Sequence, residues 1–396
     1  MKTRTGFMLS AMMFMEYFIW SAWYVTMGTY MKAQLNATDL HIGAAFSALA
    51  IATMISPFLV GLIADRYFSA QKIMGFLHLL GAVLLVAATK VSGNTSFYWI
   101  ILFYSILYMP TIALSNNIAF YQMNDPGRQF PWIRVFGTLG WIVAGFTVGR
   151  YGFDQTPSSF YLAAAVSVLL GLYSFFLPNT PPKGKEDQAL MKDAAVLFRS
   201  QSYLVFFIAA ILVCIPLAFY YGFANPFLKE IGMSNPAGKM ALGQASEGLF
   251  ILAIPFLFNR IGVKKMLVLG MLAWVLRYIC FAYGYENPES WLLYTGIILH
   301  GICYDFFFVT GYMYTEKKAG PAIKNAAQGL FTFATYGFGM FIGTWVSGFV
   351  ADYYRVGTMH LWKQVWLVPA GIALAVLVYF IFFFREEKQT TQKRAA

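Results

Sequence analysis

The sequence predicts an all-α polytopic membrane protein with twelve transmembrane helices in two pseudo-symmetric six-helix bundles. Three observations predict it. Hydrophobic residues make up 59 % of the 396 residues and charged residues only 11 %, against about 25 % charged in a soluble domain. Mean hydropathy is +0.61 over the whole chain, which excludes disorder and a soluble enzyme with one apolar core. The apolar residues come in continuous runs, not in the polar–apolar alternation of an outer-membrane barrel.

A helix needs roughly 20 mostly apolar residues to cross the hydrocarbon, and lipid offers the backbone no other partners. Twelve such runs lie near 7–31, 41–63, 71–89, 96–120, 131–150, 159–178, 202–228, 241–258, 263–284, 291–315, 325–351 and 362–384. The first is too long for a signal-peptide core and lacks a clean small-residue cleavage site, so it is expected to be retained. The longest polar stretch between runs, 179–200, holds Pro181, Pro182, Lys183, Lys185, Glu186, Asp187, Lys192, Asp193 and Arg199. It predicts a cytoplasmic linker between an N-terminal bundle (1–178) and a C-terminal bundle (201–396). The halves echo each other. Pro57-Phe58-Leu59 recurs as Pro255-Phe256-Leu257, and Phe136-Gly137-x-x-Gly140 is loosely matched by Tyr336-Gly337-x-Gly339. Both echoes favour a duplicated six-helix unit.

The net charge of +11 comes from bases in short loops, not from a basic helical face or a long tail. This distribution speaks for membrane topology and against nucleic acid. With both termini in the cytoplasm, 19 Lys and Arg fall inside and 7 outside, leaving Arg134 and Arg277 within apolar runs. That excess predicts an even helix count with both ends inside. Cys214, Cys280 and Cys303 lie in apolar runs with no Cys-x-x-Cys spacing, and are expected to be packing residues. His41, His78, His300 and His360 show no metal spacing, and no P-loop, dinucleotide fingerprint, His-Glu-x-x-His or Ser/His/Asp set is present. No cofactor or metal is expected, and an ATP-driven pump is disfavoured. A membrane glycosyl or acyl transferase would need a catalytic acid or His in a sizeable loop, which these short loops do not offer. No soluble module is appended that would suggest a receptor.

Charges inside spanning helices are costly and mark pathways. Glu16, Glu247 and Asp305 are the acids and Arg134 and Arg277 the bases in that position. Gln244 precedes Glu247 by three residues, so both share one helix face. An amide beside a carboxylate suits ligand hydroxyls. Asp305 lies about 16 Å along the helix from Glu316, close to the midplane. A group there can take up and release a proton. Glu16 fits a static hydrogen bond to a neighbouring helix as well as it fits a ligand role. Arg134, one turn inside the cytoplasmic end of its helix, fits either a snorkelling base or a cavity base that pairs with an acid of the other half. Arg277 reads as structural, within snorkelling reach of the outer surface. One of Asn116 and Asn117 is expected to face the interior. Trp141, Tyr220, Tyr221, Tyr304 and Phe306 are candidate stacking faces.

Between the second and third runs stands Gly61-Leu62-Ile63-Ala64-Asp65-Arg66-Tyr67, followed by Lys72. It resembles the loop signature of the major facilitator superfamily. Gly61 would allow close helix approach, and Asp65 with Arg66 would form a breakable cytoplasmic lock. The counterpart Asn259-Arg260-Ile261-Gly262-Val263-Lys264-Lys265 lacks the acid. More specific blocks span Trp20 to about Leu367. They are Phe130-Pro131-x-Ile133-Arg134-x-x-Gly137-Thr138-x-Gly140, Ser246-Glu247-x-Leu249-Phe250-Ile251-Leu252-x-Ile254-Pro255, Ala273-Trp274-x-Leu276-Arg277, Asp305-Phe306-Phe307, Pro321-Ala322-Ile323 with Ala327-Gln328-Gly329, and Trp362-x-x-Val365-Trp366-Leu367. These are similar to the nucleoside:proton symporter family.

That resemblance implies a proton-driven nucleoside importer of the bacterial inner membrane, working by alternating access as a monomer, with nucleoside, protons and the lipid bilayer as its partners. It implies ligand roles for Arg134, Thr138, Gln244, Glu247 and Asp305, with Asn116 and the aromatic positions Trp141 and Tyr304 also matching. Asp305 or Glu247 would carry the proton. The chain departs from the family in the seventh run, where Ala218 and Tyr221 stand in place of amides. A sugar or glycoside proton symporter on the same fold is the alternative.

Overall fold

The structure is a computed structural model that describes residues 3–59, 68–182 and 191–385. The expected lock residues Asp65 and Arg66, with Gly61, lie outside the described residues, as does 183–190 of the linker. The described chain is helical almost throughout. The helices are α1 (Thr3–Tyr24, continued after a two-residue break by Met27–Leu35), α2 (Asp39–Leu59), α3 (Ala70–Ala88), α4 (Asn94–Tyr121), α5 (Pro126–Arg150), α6 (Ser158–Ser174) and α7 (Gln201–Glu230). A continuous run Pro236–Gly284 follows, but Gly262 within it has φ 77° and ψ 166°. The backbone reverses there, separating α8 (236–261) from α9 (263–284). Gly320 does the same, at φ 67° and ψ 178°, between α10 (from Trp291) and α11 (to Tyr353). An L side chain is strained at such φ, so glycine holds both turns. The last helix is α12 (Trp362–Phe383). Divided at the two glycines, the rods are consistent with the twelve expected segments, and among the described residues nine helices are long and apolar enough to cross a membrane.

Three features were not anticipated. The linker's described end, Met191–Arg199, is a 3₁₀ helix packed on the α10–α11 run, burying Ala194 and Leu197. A two-stranded hairpin, Arg355–Val356 with Met359–His360, joins α11 to α12. Both α10 and α11 carry a π-helical turn, Asp305–Val309 and Phe333–Gly339. The two turns meet, with Tyr336 donating to the Tyr304 hydroxyl at 2.6 Å and Phe308 5.4 Å from the Tyr336 ring. Such turns recur at functional sites because the extra residue re-aims the side chains around it.

Among the first six helices, α1 packs on α5 and α6, α3 on α4 and α6, and α2 on α4. Among the last six, α7 packs on α11 and α12, and the α8–α9 run on α10 and α12. Two main seams cross between these sets, α2 with α11 and α5 with α8, and α1 with its continuation also meets α7. At the first seam a Cβ on Gly43 would strike the Thr344 carbonyl and crowd Gly348.

The end carrying the α1–α2, α7–α8 and α11–α12 connections, expected to face outward, is tied by charge. Asp39 at the start of α2 is 1 % exposed and meets Lys32 at 2.9 Å and His360 Nε2 at 2.9 Å. His360 Nδ1 meets Glu230 of α7 at 2.7 Å, and Trp362 Nε1 donates to the same carboxylate. Lys229 pairs with Asp154 at 3.2 Å, and Thr29 donates to Asn225. With a carboxylate at each ring nitrogen, His360 fits as an imidazolium. Burial acts to lower its pKa, but the hydrogen bonds to Asp39 and Glu230 outweigh it, and the net direction is upward.

A raised histidine contributes stability that is complete below its unfolded pKa of about 6.5 and is lost as pH rises through the folded value. Thermal unfolding in detergent is therefore expected to soften as pH rises from 6.5 into the alkaline range. In His360→Gln the same span should give a flatter profile from a lower starting point. Parallel profiles would remove the charge from this tie.

Candidate functional site

The site is assembled from α8 outward. Ser246 welds α8 to α10, since its hydroxyl reaches the Gly243 and Ile298 carbonyls, each at 2.7 Å, and accepts from the Gly301 N–H at 3.0 Å. Gly301 lies against the Ser246–Glu247 backbone, closer than any Cβ would allow. With Ser246 committed to α10, the helix turns Gln244 toward the seam with the first six helices. Gln244 is 7 % exposed and lines a cavity with Ser21 of α1, Trp141 of α5 and Tyr220 and Tyr221 of α7. The cavity holds about 10 Å³, room for about one water. Trp141 packs edge-on against Trp20 at 5.4 Å, and its carbonyl accepts from Ser21. Tyr24 and Tyr221 meet across the seam at 5.4 Å.

Glu247, one turn further along α8, keeps 18 % of its side chain exposed. Thr138 of α5 faces the neighbouring Gly248. Arg134, half-buried, stacks at 4.0 Å over Tyr17, and its charge acts on Glu247. Tyr304 and Asp305 of α10 are also within electrostatic range of Glu247. Of the expected site residues, Trp141 and Gln244 line the cavity, whereas Glu247, which does not line it, has Thr138 beside its neighbour Gly248 and Arg134, Tyr304 and Asp305 within electrostatic range.

Two expectations change. Asp305 does not line the cavity. It is fully buried, opens the π turn of α10, and among the described residues neither carboxyl oxygen has a hydrogen-bond partner. A bare charge there would cost several kcal/mol, and a bound proton removes that cost. Asn116 on α4 is half-buried with an unpaired amide oxygen, and no described hydrogen bond joins it to the cluster.

Glu16 resolves toward the static reading. It is fully buried, accepts from Thr111 at 2.6 Å, and meets His78 Nε2 at 2.9 Å, with Ser167 beyond the ring at 3.2 Å. Arg277 does not snorkel. It is fully buried, donates to His300 Nδ1 at 2.8 Å, and lies 3.5 Å over the Tyr220 ring. His300 was missed because the histidines were tested only for metal spacing. The rule that singled out Asp305, an ionisable group deep in an apolar run, would have found it. Ala218 is fully buried and packs against Gly343, whereas Tyr221 lines the cavity, so the seventh-helix departure is half structural. Among the described residues no cluster of three His, Cys, Asp or Glu could hold a metal ion.

The Glu16 network predicts a separation of effects. Glu16→Gln keeps a hydrogen-bonding group for Thr111 and is expected to cost about 1–2 kcal/mol of stability, Glu16→Ala about 3 or more. Ligand affinity of the folded protein should stay within twofold in both. A large affinity loss in Glu16→Gln without destabilisation would return Glu16 to the ligand site.

Comparison with known proteins gives the family and the fold. The sequence model described as nucleoside H+ symporter matches residues 1–389. The Escherichia coli protein YegT is 43 % identical over 403 residues, covering 97 % of this chain and 94 % of its own. The nucleoside permease NupG of Escherichia coli is 34 % identical over 397 residues, covering 95 % of each chain. The crystal structure of the nucleoside transporter NupG superimposes with a TM-score of 0.88 at 33 % identity, covering 97 % of this chain and all of that one. The fold is that of the major facilitator superfamily, and the chain belongs to its nucleoside H+ symporter family.

Proposed function

We propose that this protein carries nucleosides inward across the bacterial inner membrane together with protons. The observation that carries the reading is the convergence of Gln244 and Glu247 with Trp141, Thr138 and Arg134 at the α5–α8 seam, in a chain of this family. A nucleoside fits those residue types. Its flat base can lie on Trp141 or Tyr304, and its ribose hydroxyls need buried donors and acceptors, which Gln244 and Glu247 supply. A site built to pair hydroxyls rejects analogues that lack them.

In this reading both termini face the cytoplasm and the protein works as a monomer. The halves 1–178 and 201–396 rock about the seam. The tied outer end and the one-water cavity correspond to a state closed to the outside. Asp305 carries the proton, with Glu247 as its electrostatic neighbour, because its carboxyl has no partner to share a charge with in this state. Asp65 and Arg66 serve the inner lock, and Asn116 completes the polar lining once the site opens.

Reconstitution into liposomes tests the reading. Uridine or adenosine accumulation should follow an inward proton gradient, whereas competition by free ribose alone would favour a sugar carrier. Asp305→Asn is expected to abolish gradient-driven accumulation and retain nucleoside exchange, and full accumulation in that variant would refute the assignment. Gln244→Ala should weaken nucleoside binding about tenfold, the worth of one to two buried hydrogen bonds. Unchanged affinity would remove Gln244 from the site.

A further inference from the structure

Behind Glu247 stands a buried pair that the proposed cycle does not use. His300 on α10 is fully buried, with its ring stacked on Tyr220 at 5.1 Å and 27°. Its Nδ1 lies 2.8 Å from Arg277 Nη1. Its Nε2 has no hydrogen-bond partner among the described residues and faces Glu247 Oε2 at 3.8 Å. Three helices, α8, α10 and α9, thus place carboxylate, imidazole and guanidinium in succession, with the Tyr220 ring of α7 against both the imidazole and the guanidinium. Tyr304, one turn after His300, and Cys303, beside Arg277, are the other titratable neighbours.

The chemistry of the succession is directional. A guanidinium has donors only, so His300 Nδ1 accepts and cannot itself carry a hydrogen. The tautomer of a histidine is set by the bond its other nitrogen makes. The ring hydrogen must therefore sit on Nε2, the atom aimed at Glu247. The separation of 3.8 Å is about 1 Å longer than an N–H···O bond of ~2.9 Å, a distance that a small rotation of the partly exposed Glu247 side chain closes. A flipped ring would put carbon against the Arg277 Nη1 donor and forfeit its hydrogen bond.

We propose that His300 is a positioning residue for Glu247. Arg277 fixes it as a neutral Nε2–H donor, and that donor closes on the Glu247 carboxylate when the site closes around a nucleoside, turning the second carboxylate oxygen toward the ligand hydroxyls. The proposal rests on the reading of Gln244 and Glu247 as the nucleoside site and adds the groups that aim it.

Two measurements test it, and the first needs no ligand. In protein with ¹⁵N-labelled histidine, held in lipid nanodiscs, the His300 signals are assigned by their loss in His300→Phe. The expected spectrum has an unprotonated Nδ1 and a hydrogen on Nε2, and the Nε2–H resonance moves in Glu247→Gln. A hydrogen on Nδ1, or an Nε2–H indifferent to Glu247→Gln, overturns the proposal. The second measurement is uridine binding in a double-variant cycle. His300→Phe, which keeps the ring on Tyr220, should lose about tenfold in affinity, the worth of a hydrogen bond to a charged group. His300→Gln, which keeps an acceptor for Arg277 and a donor for Glu247, should recover to within about threefold of the parent. In the Glu247→Gln background His300→Phe should cost less than about twofold. Equal losses in both backgrounds, as a packing role would give, overturn the proposal. Absence of uridine binding by the parent protein would instead defeat the nucleoside reading, with the spectra still deciding whether His300 addresses Glu247.

Discussion

Everything in this molecule answers to one constraint: in hydrocarbon a polar group that finds no partner inside the protein has none at all. The backbone meets it by forming helices. The side chains meet it by pairing, and the depth of each pair sets how much depends on it. Glu16 is enclosed by Thr111 and His78, so the first half of the chain holds its acid in a closed network. In the second half the accounts are left open. Among the described residues Asp305 has no donor on either oxygen, His300 Nε2 none, and the Arg277 Nε and Nη2 none. Unpaired buried polar atoms occur in both halves, those of Trp20, Tyr104 and Asn116 among them in the first; His300 and Asp305 are neighbours of Glu247, where the proposed chemistry is placed.

The two ends of the molecule use charge differently from its middle. At the end expected to face outward, Asp39 and His360 are buried and tied to Lys32 of α1 and Glu230 of α7, so each partner's charge is what makes the other's burial tolerable. In the middle, ionisable groups are few and meet in pairs, Glu16 with His78 and Arg277 with His300, so each acts on a few neighbours only. Rocking of one half on the other needs both arrangements. The outer tie must release reversibly, while the central groups must stay aimed as the helices around them tilt. The paired π turns of α10 and α11, joined through Tyr304 and Tyr336, lie beside that aimed set and give α10 and α11 a place to bend without unwinding.

Most of the helical architecture was legible because composition and run length alone dictate it. The breaks between runs at 259–262 and 316–324 were also legible as short basic connections, though not that Gly262 and Gly320 carry the reversals. The site was legible wherever the rule was local: Gln244 and Glu247 share a face at any helical spacing of three, and Asp305 stands out in an apolar run. What stayed hidden depends on which helices touch. Nothing within α9 says that Arg277 meets His300 of α10 rather than the surface. Nothing near His360 says that its ring lies between carboxylates from α2 and α7. The π turns were hidden too, since one extra residue per turn leaves no trace in an apolar run rich in phenylalanine.

The central claim is that a nucleoside and a proton cross together through the Glu247–Asp305 region. The most direct measurement is proton movement driven by the ligand alone. Liposomes containing the protein and an internal pH-sensitive dye, with no imposed pH difference, would be given external uridine. The account predicts internal acidification that requires the nucleoside, saturates with its concentration and is absent with ribose. Nucleoside entry with no accompanying acidification would contradict it.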